Sequence, residues 1–97
     1  MIRGFADRAT EDIFNGVDSR RARQALPTQL WRSARAKLDI LNAVSTLEAL
    51  RYPPGNHLHA LDRDRRGQHA IRINDQYRIC FTWIDGHADR VIITDYH

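Results

Sequence analysis

Residues 69–96, "HAIRINDQYRICFTWIDGHADRVIITDY", decide the fold. Ile71 and Ile73 flank Arg72, and Ile79 and Phe81 follow Arg78 at strand spacing, so apolar and cationic side chains point to opposite faces. Asn74-Asp75 and Asp85-Gly86 are tight-turn pairs, which predicts an antiparallel meander of strands at His69–Asn74, Tyr77–Ile84 and Ala88–Tyr96. A fourth strand is expected at His57–Leu61. In the last strand Val91, Ile93 and Asp95 share one parity and Arg90, Ile92, Thr94 and Tyr96 the other. If Ile93 faces the core, Tyr96 faces away from it.

The first half of the chain has helical periodicity. Ile2–Phe5 reads as a short first strand, followed by a helix capped by Asp7, carrying Ala9, Ile13 and Phe14 and stopped at Asn15-Gly16. From Pro27 to Ala43, Leu30, Ala34, Leu38 and Leu41 form a buried stripe widened by Trp31, which is read as core material rather than a base-stacking ring. Ser45-Thr46-Leu47-Glu48 has the form of a capping box for a further short helix before Pro53-Pro54-Gly55. The expected architecture is α+β, a single domain over residues 1–97 with N-terminal helices packed on one face of an antiparallel sheet. The other face is left for function.

Composition narrows the partners. Ninety-seven residues that are 42% hydrophobic support one modest core, and a net charge of +3 favours an anionic partner. Arg20, Arg21 and Arg23, then Arg32, Arg35 and Lys37, then Arg63, Arg65 and Arg66 permit a basic groove. A lone Cys80 excludes an internal disulfide framework and a cysteine-based zinc cluster, and Cys80 is expected to be a core residue. The sequence has neither a secretory leader nor a membrane-spanning run, so a cytoplasmic protein without membrane attachment is expected.

Alternation puts His57 and His59 on one side of their strand, and Arg72 and Arg78 on the sheet face away from the helices. Cleavage of RNA by its own 2′-hydroxyl needs a base, an acid for the departing 5′-oxygen, and a cation for the phosphate. His59, Arg78 and His97 form a partial set for that task, with Tyr96 as proton donor or stacking ring and Asp95 as an orienting group for His97. His57, Arg65, Arg66 and Arg72 are candidates for contacting the RNA backbone. His57 and His59 lack the acidic cluster or HExxH segment that a metal nuclease would supply, so neither metal nor cofactor is expected.

The stretch "PPGNHLHALDRDRRGQHAIRINDQYRICFTW" with the later "DYH" resembles HigB toxins of the RelE/ParE superfamily over nearly the whole chain. The resemblance implies a RelE-like compact domain and a ribosome-dependent endoribonuclease that cuts translated mRNA, with a HigA-like antitoxin as partner. Carried onto this sequence, it matches His59, Arg78, Asp95, Tyr96 and His97 to the catalytic positions. Contact with DNA is implied only indirectly, through an antitoxin complex. Asp62-Arg63 stands where similar sequences commonly carry Lys-Gly, with Arg65 and Arg66 as compensating cations. The shared fold also admits a ParE-like inhibitor of DNA gyrase or a non-enzymatic RNA-binding protein.

Overall fold

A computed structural model describes residues 1–61 and 67–95. Asp62, Arg63, Arg65, Arg66, Tyr96 and His97 therefore lie outside the described residues. Helices α1 (Arg8–Asn15), α2 (Arg20–Ala25) and α3 (Trp31–Ala43) precede strands β1 (His59–Ala60), β2 (Gln68–Arg72), β3 (Tyr77–Ile84) and β4 (His87–Asp95). The four strands form one antiparallel sheet in sequential order, so the chain has the α+β architecture expected from its two periodicities. Among the described residues, no helix is long and apolar enough to cross a membrane.

The caps explain where the helices start and stop. Asp7 accepts from the Thr10 amide at 2.9 Å to open α1, and Gly16 closes it at φ 76°, a left-handed conformation that a side chain disfavours. Ser19 does the same for α2 through the Ala22 amide at 3.1 Å. The long helix is shorter than expected. Thr28–Leu30 is a 3-10 turn, and α3 begins at Trp31, whose indole N–H donates to the Leu26 carbonyl at 2.9 Å. The expected Ser45–Glu48 capping box is absent, because Thr46 caps the 3-10 turn Leu47–Arg51 through the Ala49 amide.

Ile13, Leu26, Leu38, Leu41 and Leu50 bury one side of the helical layer against Ile71, Ile79, Phe81, Val91 and Ile93 of the sheet. Fully burying a side chain of this size stabilises by about 1.5–3 kcal/mol, so this two-layer contact is the main cohesive term. Ile2–Phe5 is not a regular strand; Ile2 and Phe5 make isolated parallel bridges to Ala88 and Val91 and so cover part of the outer edge of β4. Further along that edge the Thr10 hydroxyl accepts from the Ile93 amide at 3.0 Å, tying α1 to β4.

A bulge sets the direction of the last strand. Cys80 pairs with Ile92 but Thr82 pairs with Asp89, so Arg90 and Val91 together oppose Phe81. Arg90 takes a left-handed φ of 52°, and the extra residue lets both Ala88 and Val91 face the core despite their odd separation.

Candidate nucleic-acid interface on the open sheet face

Register places the candidate residues in two neighbouring rows. His59 pairs with Ala70, which pairs with Cys80, which pairs with Ile92. The adjacent row is Arg72, Arg78 and Thr94. Paired residues share a face, so His59, Arg72 and Arg78 all lie on the side opposite the helical core. Two strand spacings and one two-residue step separate His59 from Arg78, giving a Cα distance of about 12 Å.

The first row is apolar between its ends. Ala70 and Cys80 are fully buried, and with Leu61 and Ile92 they form a second small cluster on the face away from the helices. Cys80 is thus core material, as its strand position implied. The second row is cationic, with Arg72 and Arg78 directly opposite one another. Like charges in that position repel, at a cost of several tenths of a kcal/mol to about 1 kcal/mol. Asp75 already forms an ion pair with Arg72, but its side chain is 94% exposed, so solvent weakens the compensation.

The segment that presents His59 departs from the expected strand. Regular pairing covers only His59 and Ala60, because Pro54–Asn56 forms a 3-10 turn and His57 follows it in the left-handed region at φ 49°. His57 is exposed and outside the sheet, so its position does not follow from strand alternation with His59. What joins the two is a bond: the His57 carbonyl lies 3.0 Å from His59 Nδ1.

Two residues behind this turn escaped the sequence reading. Asn56 is fully buried; its Nδ2 donates to the Leu50 and Tyr52 carbonyls at 3.1 and 3.2 Å, and its Oδ1 accepts from Lys37 Nζ. The only hint was an Asn inside the Pro-Pro-Gly-Asn punctuation. The other is His69, which shares parity with core-facing Ile71 and Ile73. Its ring stacks on Phe81 with centroids 6.1 Å apart, and its Nδ1 is buried without a hydrogen-bond partner. Burial first, and the nearby His59 second, hold its pKa below 6.5.

Asp95 sits on the other parity. It pairs with Tyr77, is exposed, and its Oδ2 accepts from Gln76 Nε2 at 3.2 Å at the β2–β3 end of the sheet. The proposed partners Tyr96 and His97 follow it outside the described residues, as do Arg65 and Arg66.

Four of the six clustered helical cations have partners within the helical layer and its loops. Arg21 bonds Asp12 at 2.6 Å, Arg23 bonds Asp18 at 2.7 Å, Arg35 Nε donates to the Ile13 carbonyl at 3.0 Å, and Lys37 is held by Asn56. Arg21 and Arg23 stay half or more exposed in these pairs, so solvent screens both of them. A shallow pocket of about 330 Å³ lined by Ser19, Arg20, Arg21 and Gln24 belongs to this helical side and contains none of the sheet-face candidates. Among the described residues, no three His, Cys, Asp or Glu side chains gather as a metal site.

Comparison with known proteins bears on the family and the fold. Over 88 residues the chain is 37% identical to Toxin HigB-1 of Vibrio cholerae, covering 91% of this chain and 90% of that protein. It is 29% identical over 68 residues to an uncharacterized protein of Haemophilus influenzae, covering 70% and 67% respectively. The YoeB-YefM complex from Staphylococcus aureus contains a chain of similar fold, with a TM-score of 0.55 and 19% identity over 100% of this chain and 98% of that one. Residues 3–97 match the family described as RelE-like toxin of type II toxin-antitoxin system HigB, and the chain belongs to that family of toxins.

Proposed function

We propose that this toxin is a metal-independent endoribonuclease that cleaves mRNA on the translating ribosome and is neutralised by a cognate HigA-like antitoxin in the cytoplasm. The observation carrying this reading is the one sheet face, away from the helices, that His59, Arg72 and Arg78 share: two cations and an imidazole within neighbouring rows. His59 takes the proton of the 2′-hydroxyl, and the 2′-oxygen attacks the adjacent phosphorus. Arg78 neutralises charge on the non-bridging oxygens. As the bond from phosphorus to the 5′-oxygen breaks, His97, oriented by Asp95, returns a proton to the leaving oxygen, while Tyr96 holds the nucleotide or assists that transfer. The products are a 2′,3′-cyclic phosphate and a 5′-hydroxyl.

His57, Arg72, Arg65 and Arg66 bind the flanking RNA backbone in this reading, a role that carries affinity rather than chemistry. The ribosome contributes the in-line geometry that a domain with few catalytic groups does not impose alone. The test is cleavage of ribosome-bound mRNA in the presence of chelator, comparing the intact chain with a Tyr96→Ala/His97→Ala variant. Cleavage insensitive to chelator and lost in the variant is expected. Growth arrest with gyrase inhibited and no new RNA ends overturns the nuclease reading in favour of a ParE-like inhibitor, and RNA binding without new ends favours a non-enzymatic binder.

A further inference from the structure

We propose that Asn56 is a positioning residue for His59: with Lys37 it fixes the turn whose His57 carbonyl accepts a hydrogen bond from the Nδ1–H of His59, leaving Nε2 as the proton-accepting nitrogen. The inference rests on the nuclease reading for its purpose and deepens it by assigning the ring nitrogen with which His59 acts as base.

Each polar atom of the Asn56 side chain is used. Its two Nδ2 donors go to the carbonyls of Leu50 and Tyr52, at 3.1 and 3.2 Å, and its Oδ1 accepts the Lys37 ammonium. Its backbone N–H donates to the Pro53 carbonyl at 3.0 Å. A fully buried carboxamide satisfied in this way joins α3 to the loop before β1, and removing it strands buried polar partners.

The bonds hold a conformation that His57 does not prefer. His57 has φ 49° and ψ 48°, and its N–H donates to the Pro54 carbonyl at 3.1 Å. Side chains resist this region, so the turn depends on its neighbours. It brings the His57 carbonyl to 3.0 Å from His59 Nδ1. A carbonyl oxygen has no proton to give, so in this contact Nδ1 carries the hydrogen. Neutral imidazole has one N–H, and Nε2 is then the lone-pair nitrogen. An imidazole in water favours the opposite tautomer, with the proton on Nε2. The turn therefore favours the tautomer that is the minor one for the free side chain.

The experiment is two-bond ¹⁵N–¹H correlation spectroscopy of the histidine rings in the whole chain, at a pH where His59 is neutral, for the wild type, Asn56→Ala and Lys37→Met. The wild type should show His59 protonated on Nδ1. Asn56→Ala should move it toward the Nε2–H form and slow cleavage of ribosome-bound mRNA by about tenfold or more, since a correctly protonated base is worth about 10²–10⁴. Lys37→Met, which keeps both Nδ2 bonds, should give a smaller shift in the same direction. It remains informative if Asn56→Ala does not fold. An Nε2–H tautomer in the wild type overturns the proposal, as does an Nδ1–H tautomer unchanged in every folded variant. The expected tautomer shift in a protein that cleaves no RNA supports the positioning role while retiring the nuclease reading.

Discussion

Replacing Thr10 by Val tests how α1 is fastened to β4, the strand that runs into Asp95-Tyr96-His97. Thr10 is fully buried and its hydroxyl accepts from the Ile93 amide at 3.0 Å. Val has nearly the same shape and helix propensity as Thr, so the swap removes the acceptor with little other change. The orphaned Ile93 N–H then bears its own desolvation cost of about 1–3 kcal/mol. A domain of this size loses about 4–8 °C of Tm per kcal/mol, so thermal and urea unfolding resolve the effect readily. Thr10→Ser is the control, because it keeps the oxygen and sacrifices one buried methyl, worth about 1 kcal/mol. Amide exchange should quicken at Ile93 in the Val variant and not in the Ser variant. Val as stable as wild type, with Ile93 equally protected, would refute the claim that this bond holds the strand.

Two predictions concern pH. Arg21 and then Ser19 hydrogen-bond the Asp12 carboxylate and hold its pKa below 3.8, so its stabilisation is present above that value and is lost as pH falls through the lower folded-state pKa. The gap in urea midpoint between wild type and Asp12→Asn should close on acidification below that value; a gap independent of pH would contradict the pairing. His69 has its pKa lowered from 6.5, so the folded state favours the neutral ring, and its contribution is intact above 6.5 and declines as pH drops from there to the folded-state pKa. Between pH 8 and pH 5, wild type should lose more stability than His69→Phe, whereas parallel curves would show that the ring titrates alike in both states.

Period-two alternation and two turn pairs made the meander readable. Tyr77–Ile84 has the same bounds as expected because its apolar face and the Asp85-Gly86 reversal are both local signals. The same alternation, with antiparallel pairing, made the common face of Arg72 and Arg78 legible. Helix α2 was not legible: it fully buries only Ala22, its other residues are arginines, Gln24 and Ala25, and so it has no apolar stripe. The bulge at Arg90 depends on a positive φ in a residue other than glycine, which local preference argues against. Asn56 escaped notice because its role comes from partners 4, 6 and 19 positions away. The pairing of Arg21 was not legible for a related reason, since Asp12 becomes its partner only once α1 and α2 pack.

The most direct measurement is a double-mutant cycle on single-turnover cleavage of ribosome-bound mRNA, using His59→Ala, Arg78→Ala and the pair, each checked for wild-type unfolding behaviour. Two groups acting on one phosphodiester should each cost about 10²-fold or more, and their combined loss should fall short of the product of the single losses. Wild-type cleavage by either single variant would contradict the account.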